Sequence, residues 1–441
     1  MIKKYLPWGI WVATTIIGMF YFTGQLQSDD KTLFLPGQTS SGHYQIELQC
    51  NACHGESFSD EKAMQKNCVK CHGEEMKEIK DSHPKSKFTD PRNADRIKVL
   101  DARFCATCHV EHKPEITQNM GVTLPEGLCI KCHLEVGEDR PSHKGMGFET
   151  CASAGCHNFH DNRALYEDFL IKHANEPEIK DPAQTRNTDV INQLLEQLEN
   201  TQPLTTKDQD QPEDQFYDTK IIHDWVSSSH AQAGINCSGC HEDSSQVWIE
   251  KPGHEQCATC HQIEVTGFLE GKHGMRLNAG LSPMQPKWGR LPLSPAVSNK
   301  PLGCVSCHHS HEFEVVKAAV EACEGCHIDE HSQNYRLSSH YQLWRHEISG
   351  HGQENSGVSC ATCHLPAKEM KIDFSATVAT LHNQNSNLRP NEKMIRTVCL
   401  QCHSLEFSID ALADPELIKN NFAGRPAQHI ESIDMATARV K

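Results

Sequence analysis

The longest uninterrupted apolar run in this chain is "YLPWGIWVATTIIGMFYF", residues 5–22, which carries no charge. A stretch of that length just suffices to cross a bilayer as a helix. Lys3 and Lys4 precede it, while Asp29 and Asp30 follow, so the positive-inside bias puts the N-terminus in the cytoplasm and the body outside. A cleaved secretory signal shares this pattern. The following "FTGQLQS", however, has no small-x-small pair, and aromatic residues stand near both ends of the run. The expectation is an uncleaved anchor over 1–28, with a soluble periplasmic body after cleavage as the alternative. Further on, Val190, Ile191, Leu194, Leu195 and Leu198 share one helical face. The stretch "QPLTTKDQDQPEDQ" (202–215) is polar, acidic and proline-containing, hence a loop or linker. "SLEFSIDALADPELIKNNF" (404–422) is again partly amphipathic, which suits either docking or internal packing.

Apolar residues make up 37% of 441 and charged residues 23%, a lean supply for a large ordinary core. The 22 cysteines change that picture, because each belongs to a unit that ends in histidine. Ten units read Cys-x-x-Cys-His: Cys50-Cys53-His54, Cys68-Cys71-His72, Cys105-Cys108-His109, Cys129-Cys132-His133 and Cys237-Cys240-His241, then Cys257-Cys260-His261, Cys304-Cys307-His308, Cys323-Cys326-His327, Cys360-Cys363-His364 and Cys399-Cys402-His403. The eleventh, Cys151-Cys156-His157, has four residues between its cysteines.

Cys-x-x-Cys-His is the attachment signature of c-type haem, the thiols forming thioethers and the histidine becoming the proximal ligand. Zinc half-sites and redox dithiols also use Cys-x-x-Cys, and an even cysteine count fits disulfides. Neither explains a histidine after every second cysteine. Eleven covalently attached haem c groups are therefore expected, one per 40 residues, and they supply the missing apolar mass. The expected fold is mainly irregular with short α-helices, organised around stacked haems, with little β-structure. The apoprotein is expected not to fold. Haem is attached outside the bacterial cytoplasmic membrane, in agreement with export.

Of 29 histidines, 18 remain after the proximal ones. The two halves repeat: His43 and His230 each stand seven before a motif, at Cys50 and Cys237. His83 follows His72 by eleven and His273 follows His261 by twelve. "CATCHVEH" (105–112) matches "CVSCHHSH" (304–311), giving His112 and His311. His143 precedes Cys151 by eight and His351 precedes Cys360 by nine. These eight are the leading distal-ligand candidates, and His160, His340 and His382 complete a bis-histidine set. Met146 and Met275 could instead be axial ligands, but they adjoin histidine candidates. His160 stands three past His157, so the wider spacing reads as variation at an ordinary carrier site. The 80 positions from His157 to Cys237 suggest a pentahaem domain over 29–175, a linker with one helix over 176–222 and a hexahaem domain with a tail over 223–441.

"CATCHVEHK" and "CASAGCHNFH" resemble the cytochrome c3-like modules, where four-residue gaps occur beside two-residue ones. "SGHGQENSGVSCATCHLP" (349–366), His382 and "RTVCLQCH" (396–403) are similar to the ends of multihaem nitrite reductases and hydroxylamine oxidoreductase relatives. The whole resembles periplasmic, membrane-anchored multihaem cytochromes of anaerobic respiration. Nitrite reductases commonly replace the proximal histidine of the catalytic haem by lysine, and here every motif ends in histidine. Hydroxylamine-type enzymes add a tyrosine crosslink; Tyr335 and Tyr341 read as packing. No catalytic residue is assigned. The net charge of −16 and the lack of a basic stripe disfavour nucleic acid and suit basic redox partners.

The leading expectation is an electron carrier between the membrane or quinol pool and periplasmic or outer-membrane partners. Its partners would be a quinol-oxidising membrane protein and a periplasmic reductase or outer-membrane conduit. The alternatives are an oxidoreductase acting on a small nitrogen or sulfur oxyanion at one five-coordinate haem, and a scaffold subunit of a membrane complex.

Overall fold

The computed structural model describes residues 2–28, 31–55, 61–140, 143–144, 157–181, 202–213, 218–372, 375–388, 390–431, 433–434 and 438. Cys151, Cys156, Met146 and the 190–198 helix expected from the sequence lie outside the described residues. Packing divides the chain into two compact units, Met1–Glu78 with Pro84–Pro125, and Ile79–His83 with Glu126–Lys441. The first contains the motifs at Cys50, Cys68 and Cys105, and the second contains the other eight. Motif spacing suggested the division 29–175, 176–222 and 223–441.

The first unit begins with α1 (Ile2–Gln27), within which Tyr5–Gln27 is long and apolar enough to cross a membrane and is uncovered by the rest of the chain. Its 23 residues, at about 1.5 Å each, reach about 34 Å against a hydrocarbon core of about 30 Å. Thr14 and Thr15 donate their hydroxyls to the carbonyls of Ile10 and Trp11, so neither needs water. α2 (Glu61–Glu78) carries the Cys68 motif. The remainder is turns and short helices, consistent with the expected irregular, mainly helical fold.

In the second unit, helices are short and several are capped by a side chain. The Asp218 carboxylate accepts from Lys220 N at 2.9 Å to start α3 (Thr219–Ser227). Next come α4 (Gln262–Glu270) and α5 (Ser339–Ile348), the latter capped by Ser338. Strands β1 (Ala367–Ile372) and β2 (Ser375–Thr380) pair antiparallel as the only sheet among the described residues. α6 (Leu405–Ala413) starts on Ser404, and α7 (Pro415–Lys419) starts on Asp414 with proline in its first turn.

Among the described residues, two small apolar clusters hold this unit. Leu165, Ile395, Leu405, Ile409 and Ile433 form one, flanked by Phe169 and Leu170. Val320, Tyr335 and Trp344 form the other, against which Cys360 packs. Each fully buried aliphatic side chain contributes about 1.5–3 kcal/mol, so clusters this small leave much of the folding energy to other sources. The 404–422 stretch is built into the first cluster through Leu405 and Ile409. Internal packing, not docking, accounts for its amphipathicity.

The tail beyond α7 is clasped by His429, whose Nδ1 lies 2.9 Å from Asp410 Oδ2 and whose Nε2 lies 3.1 Å from Asp434 Oδ2. Hydrogen bonds to Asp410 and then Asp434 raise its pKa from 6.5 to about 9. A raised folded-state pKa adds stability that is complete below the ordinary value and is lost as pH rises through the folded one. His429→Gln is therefore expected to lower the Tm at pH values below 6.5, with the difference vanishing above about 9. Partial exposure keeps the effect small, and paired thermal melts across that window measure it.

Candidate haem sites

Each Cys-x-x-Cys-His motif closes a helical turn. The backbone amides of His54, His109, His133, His241, His261, His308, His327 and His403 donate to the carbonyl of their motif's first cysteine at 2.8–3.0 Å. The Cys68 motif lies inside α2, and the Cys360 motif is itself the helix Cys360–His364. Positions i, i+3 and i+4 share one helical face, so two thiols and an imidazole converge on one side of the turn. No described cysteine is in a disulfide.

An imidazole nitrogen binds a first-row metal at about 2 Å and the ring centroid lies roughly 1 Å beyond, so two imidazoles on opposite faces of one iron have centroids about 6 Å apart. The structure meets this requirement repeatedly. In the first unit, His54 faces His112 at 6.5 Å and His72 faces His43 at 5.9 Å. In the second, His133 faces His83 at 6.2 Å, His157 faces His143 at 6.1 Å, His241 faces His311 at 6.0 Å and His261 faces His230 at 5.9 Å. His308 faces His382 at 6.2 Å, His327 faces His273 at 6.3 Å, His364 faces His331 at 6.1 Å and His403 faces His340 at 6.2 Å.

The other ring nitrogen is commonly tied to backbone. Nδ1 meets a carbonyl in His112 (Gly37, 2.8 Å), His241 (Ile249, 2.8 Å), His382 (Thr380, 2.8 Å), His403 (Glu178, 3.0 Å) and His109 (Gly121, 3.2 Å). His83 does the same with Phe159 at 2.5 Å and His331 with Ile418 at 2.5 Å. Such bonds fix the tautomer and leave Nε2 to face a metal, although His331 Nε2 also lies 3.3 Å from Asn421 Nδ2. Burial, with the charge of neighbouring histidines, lowers His273, His340 and His364 to about 4. Their rings are therefore neutral, as metal ligands must be. The residues present thus fit c-type haem.

Among the distal candidates, the structure brings His43, His83, His112, His143, His230, His273, His311, His340 and His382 each opposite a proximal ring. His351 is not brought to one: it stays exposed, with Nδ1 3.1 Å from Ser349 Oγ. The ring facing His364 is His331, which the repeat comparison passed over. A signal existed, since His331 stands four past His327, close to the "CATCHVEH" pattern. His160, expected at the Cys151 motif, leaves His157 to His143 and has its Nδ1 3.3 Å from Asp81 Oδ1. The hydroxyl of Tyr335 is buried and donates to the Val358 carbonyl at 2.7 Å, and Tyr341 packs on Trp344.

The repeat reappears in the pairings. His112 and His311 both adopt the left-handed backbone, φ 61° and 68°, which is costly for a residue other than glycine. Each ring is turned from its own motif onto that of an earlier one, His54 and His241, with near-parallel planes at 16° and 4°. His43 and His230 meet His72 and His261 edge-on at 65° and 84°.

Consecutive motifs are also neighbours. Cys68 lies beside Cys105, and Cys53 beside Cys71. In the second unit His157 feels His133. Cys240 lies near Cys257, Cys257 beside Cys304, Cys307 near Cys323, Cys323 beside Cys360, and Cys363 near Cys402.

Residues 42–134 match the family described as Cytochrome c3. The multiheme cytochrome MtrA of Shewanella baltica (strain OS185) is 24% identical over 190 residues, 42% of this chain and 47% of the relative. The match thus spans about half the length of that relative. No solved structure matches the chain. Taken with the motif series, these similarities support reading the chain as a multihaem c-type cytochrome.

Proposed function

We propose that the chain carries eleven haem c groups, each held between two histidines, and passes electrons between the cytoplasmic membrane and periplasmic or outer-membrane redox partners. Haem c supplies reversible one-electron chemistry when bound. The observation that carries the reading is the recurrence of facing imidazole pairs at 5.9–6.5 Å, with the ten distal rings just described as second ligands to ten of the eleven irons. The adjacency of motifs supports a path in sequence order, through Cys50, Cys68 and Cys105 in one unit and from Cys237 to Cys399 in the other. α1 is the membrane anchor in this reading, with the acidic body on the periplasmic side. The electron donor is the quinol pool or a quinol-oxidising membrane protein, and the acceptor a periplasmic reductase or outer-membrane conduit.

The test is low-temperature EPR of the fully oxidised, detergent-solubilised protein with haem quantified in parallel. Eleven haems per chain, all low-spin, are expected. A stoichiometric high-spin signal would instead favour the oxidoreductase acting on a nitrogen or sulfur oxyanion. Intact mass of the same preparation checks the anchor: the mature chain is expected to retain Trp8 and Trp11.

A further inference from the structure

His43 and His230 occupy the same place in the two halves, yet their outer nitrogens meet different surroundings. His43 Nδ1 lies 2.6 Å from Glu111 Oε1. That carboxylate is fixed by Ser40, whose hydroxyl donates to Oε1 at 2.8 Å and whose backbone N–H donates to Oε2 at 2.5 Å. His230 Nδ1 is buried without a hydrogen-bond partner among the described residues, its ring edge-on to Phe313 at 4.7 Å. Glu111 is the sixth residue after Cys105, and the sixth after Cys304 is Ser310. The repeat therefore carries a carboxylate in one copy and lacks it in the other.

A metal-bound imidazole that donates its second N–H to a carboxylate gains anionic character and becomes a stronger electron donor. A stronger donor stabilises ferric over ferrous iron. We infer that Glu111 is a positioning residue that lowers the reduction potential of the haem held by His72 and His43, and that the haem held by His261 and His230, its counterpart in the repeat, sits higher for want of that carboxylate. This rests on the reading of His43 and His230 as distal ligands. The duplicated part thereby yields two carriers of different potential from one ligand set, which gives electron flow a bias that the motifs do not encode. The other distal rings described above with a bonded Nδ1 mostly give it to backbone carbonyls, which carry no formal charge.

The experiment is an EPR-monitored redox titration of the full-length, haem-loaded chain in detergent, comparing wild type, Glu111→Gln, Glu111→Asp, Ser310→Glu and His43→Gly. Outer-sphere partners of metal ligands commonly change metal equilibria by about tenfold or more, and tenfold is about 59 mV for a one-electron couple. Glu111→Gln is expected to raise one midpoint by about that amount with every iron still low-spin, and Glu111→Asp to restore most of it. Ser310→Glu is expected to lower one midpoint. Unchanged midpoints in Glu111→Gln and Ser310→Glu, with His43→Gly giving one high-spin iron, overturn the tuning role and leave the ligation standing. If His43→Gly gives no high-spin iron, the ligand assignment itself fails.

Discussion

Replacing His331 by glycine is expected to turn one low-spin iron per chain into a high-spin one, whereas His351→Gly leaves the low-spin population unchanged. His331 lies on the short helix Glu330–Asn334, whose first turn is capped by the Asp329 carboxylate at 3.1 Å from Ser332 N. Its ring is fixed from the opposite side by the C-terminal segment. Ile418 accepts from Nδ1, and the Asn421 side-chain amide donates to the His331 carbonyl at 2.9 Å. An imidazole clamped by residues nearly ninety positions away holds one orientation, 6.1 Å from His364. The exposed His351 has no comparable constraint. EPR of the two oxidised variants, with haem content measured in parallel, separates them, because neither change touches a cysteine. His331→Met adds a second check: thioether ligation keeps the iron low-spin and raises its potential. A high-spin signal from His351→Gly alone would reverse the assignment.

The second large effect is expected from Cys360→Ala with Cys363→Ala, which removes both attachment points of one haem. Cys360 packs against Val320, Tyr335 and Trp344, and the Cys363 carbonyl accepts from the fully buried Asn387. Loss of the prosthetic group here leaves a void larger than that of a truncated aromatic residue, a change that costs about 3–5 kcal/mol. Since domains are stable by only about 5–15 kcal/mol, this variant is expected to be severely destabilised and sensitive to proteolysis. The same pair of changes at Cys129 and Cys132, both exposed, is expected to cost one haem and much less stability. Haem counting and limited proteolysis of the two variants give the comparison. Comparable resistance would mean that the haems do not supply the missing core.

Several parts of this arrangement were legible from the sequence because they are local. Two thiols and an imidazole at i, i+3 and i+4 must share a face once the turn is helical, so their convergence follows from spacing. The uncharged run of residues 5–22 likewise forms α1 without help from the rest of the chain. The lean apolar composition implied small cores, and the structure has two modest clusters. The histidine repeat also pointed to rings that the fold brings to proximal partners, among them His43, His230, His112 and His311.

Which ring faces which was not legible, because those partners meet only through tertiary packing. His112 follows the third motif yet faces His54 of the first, since a left-handed backbone turns it away from His109. His331 displaces the expected His351 because Ile418 and Asn421, distant in the chain, hold its ring in place. Glu111 and Ser310 read alike as polar residues between two histidines, and only packing sets the carboxylate on His43 Nδ1 while leaving His230 Nδ1 bare. The sequence by itself determined which two thiols and which imidazole share a face in each motif, because those contacts span a single helical turn. The tertiary structure decided which second imidazole faces a proximal ring and which groups meet its outer nitrogen, because those contacts join segments that meet only when the chain is folded.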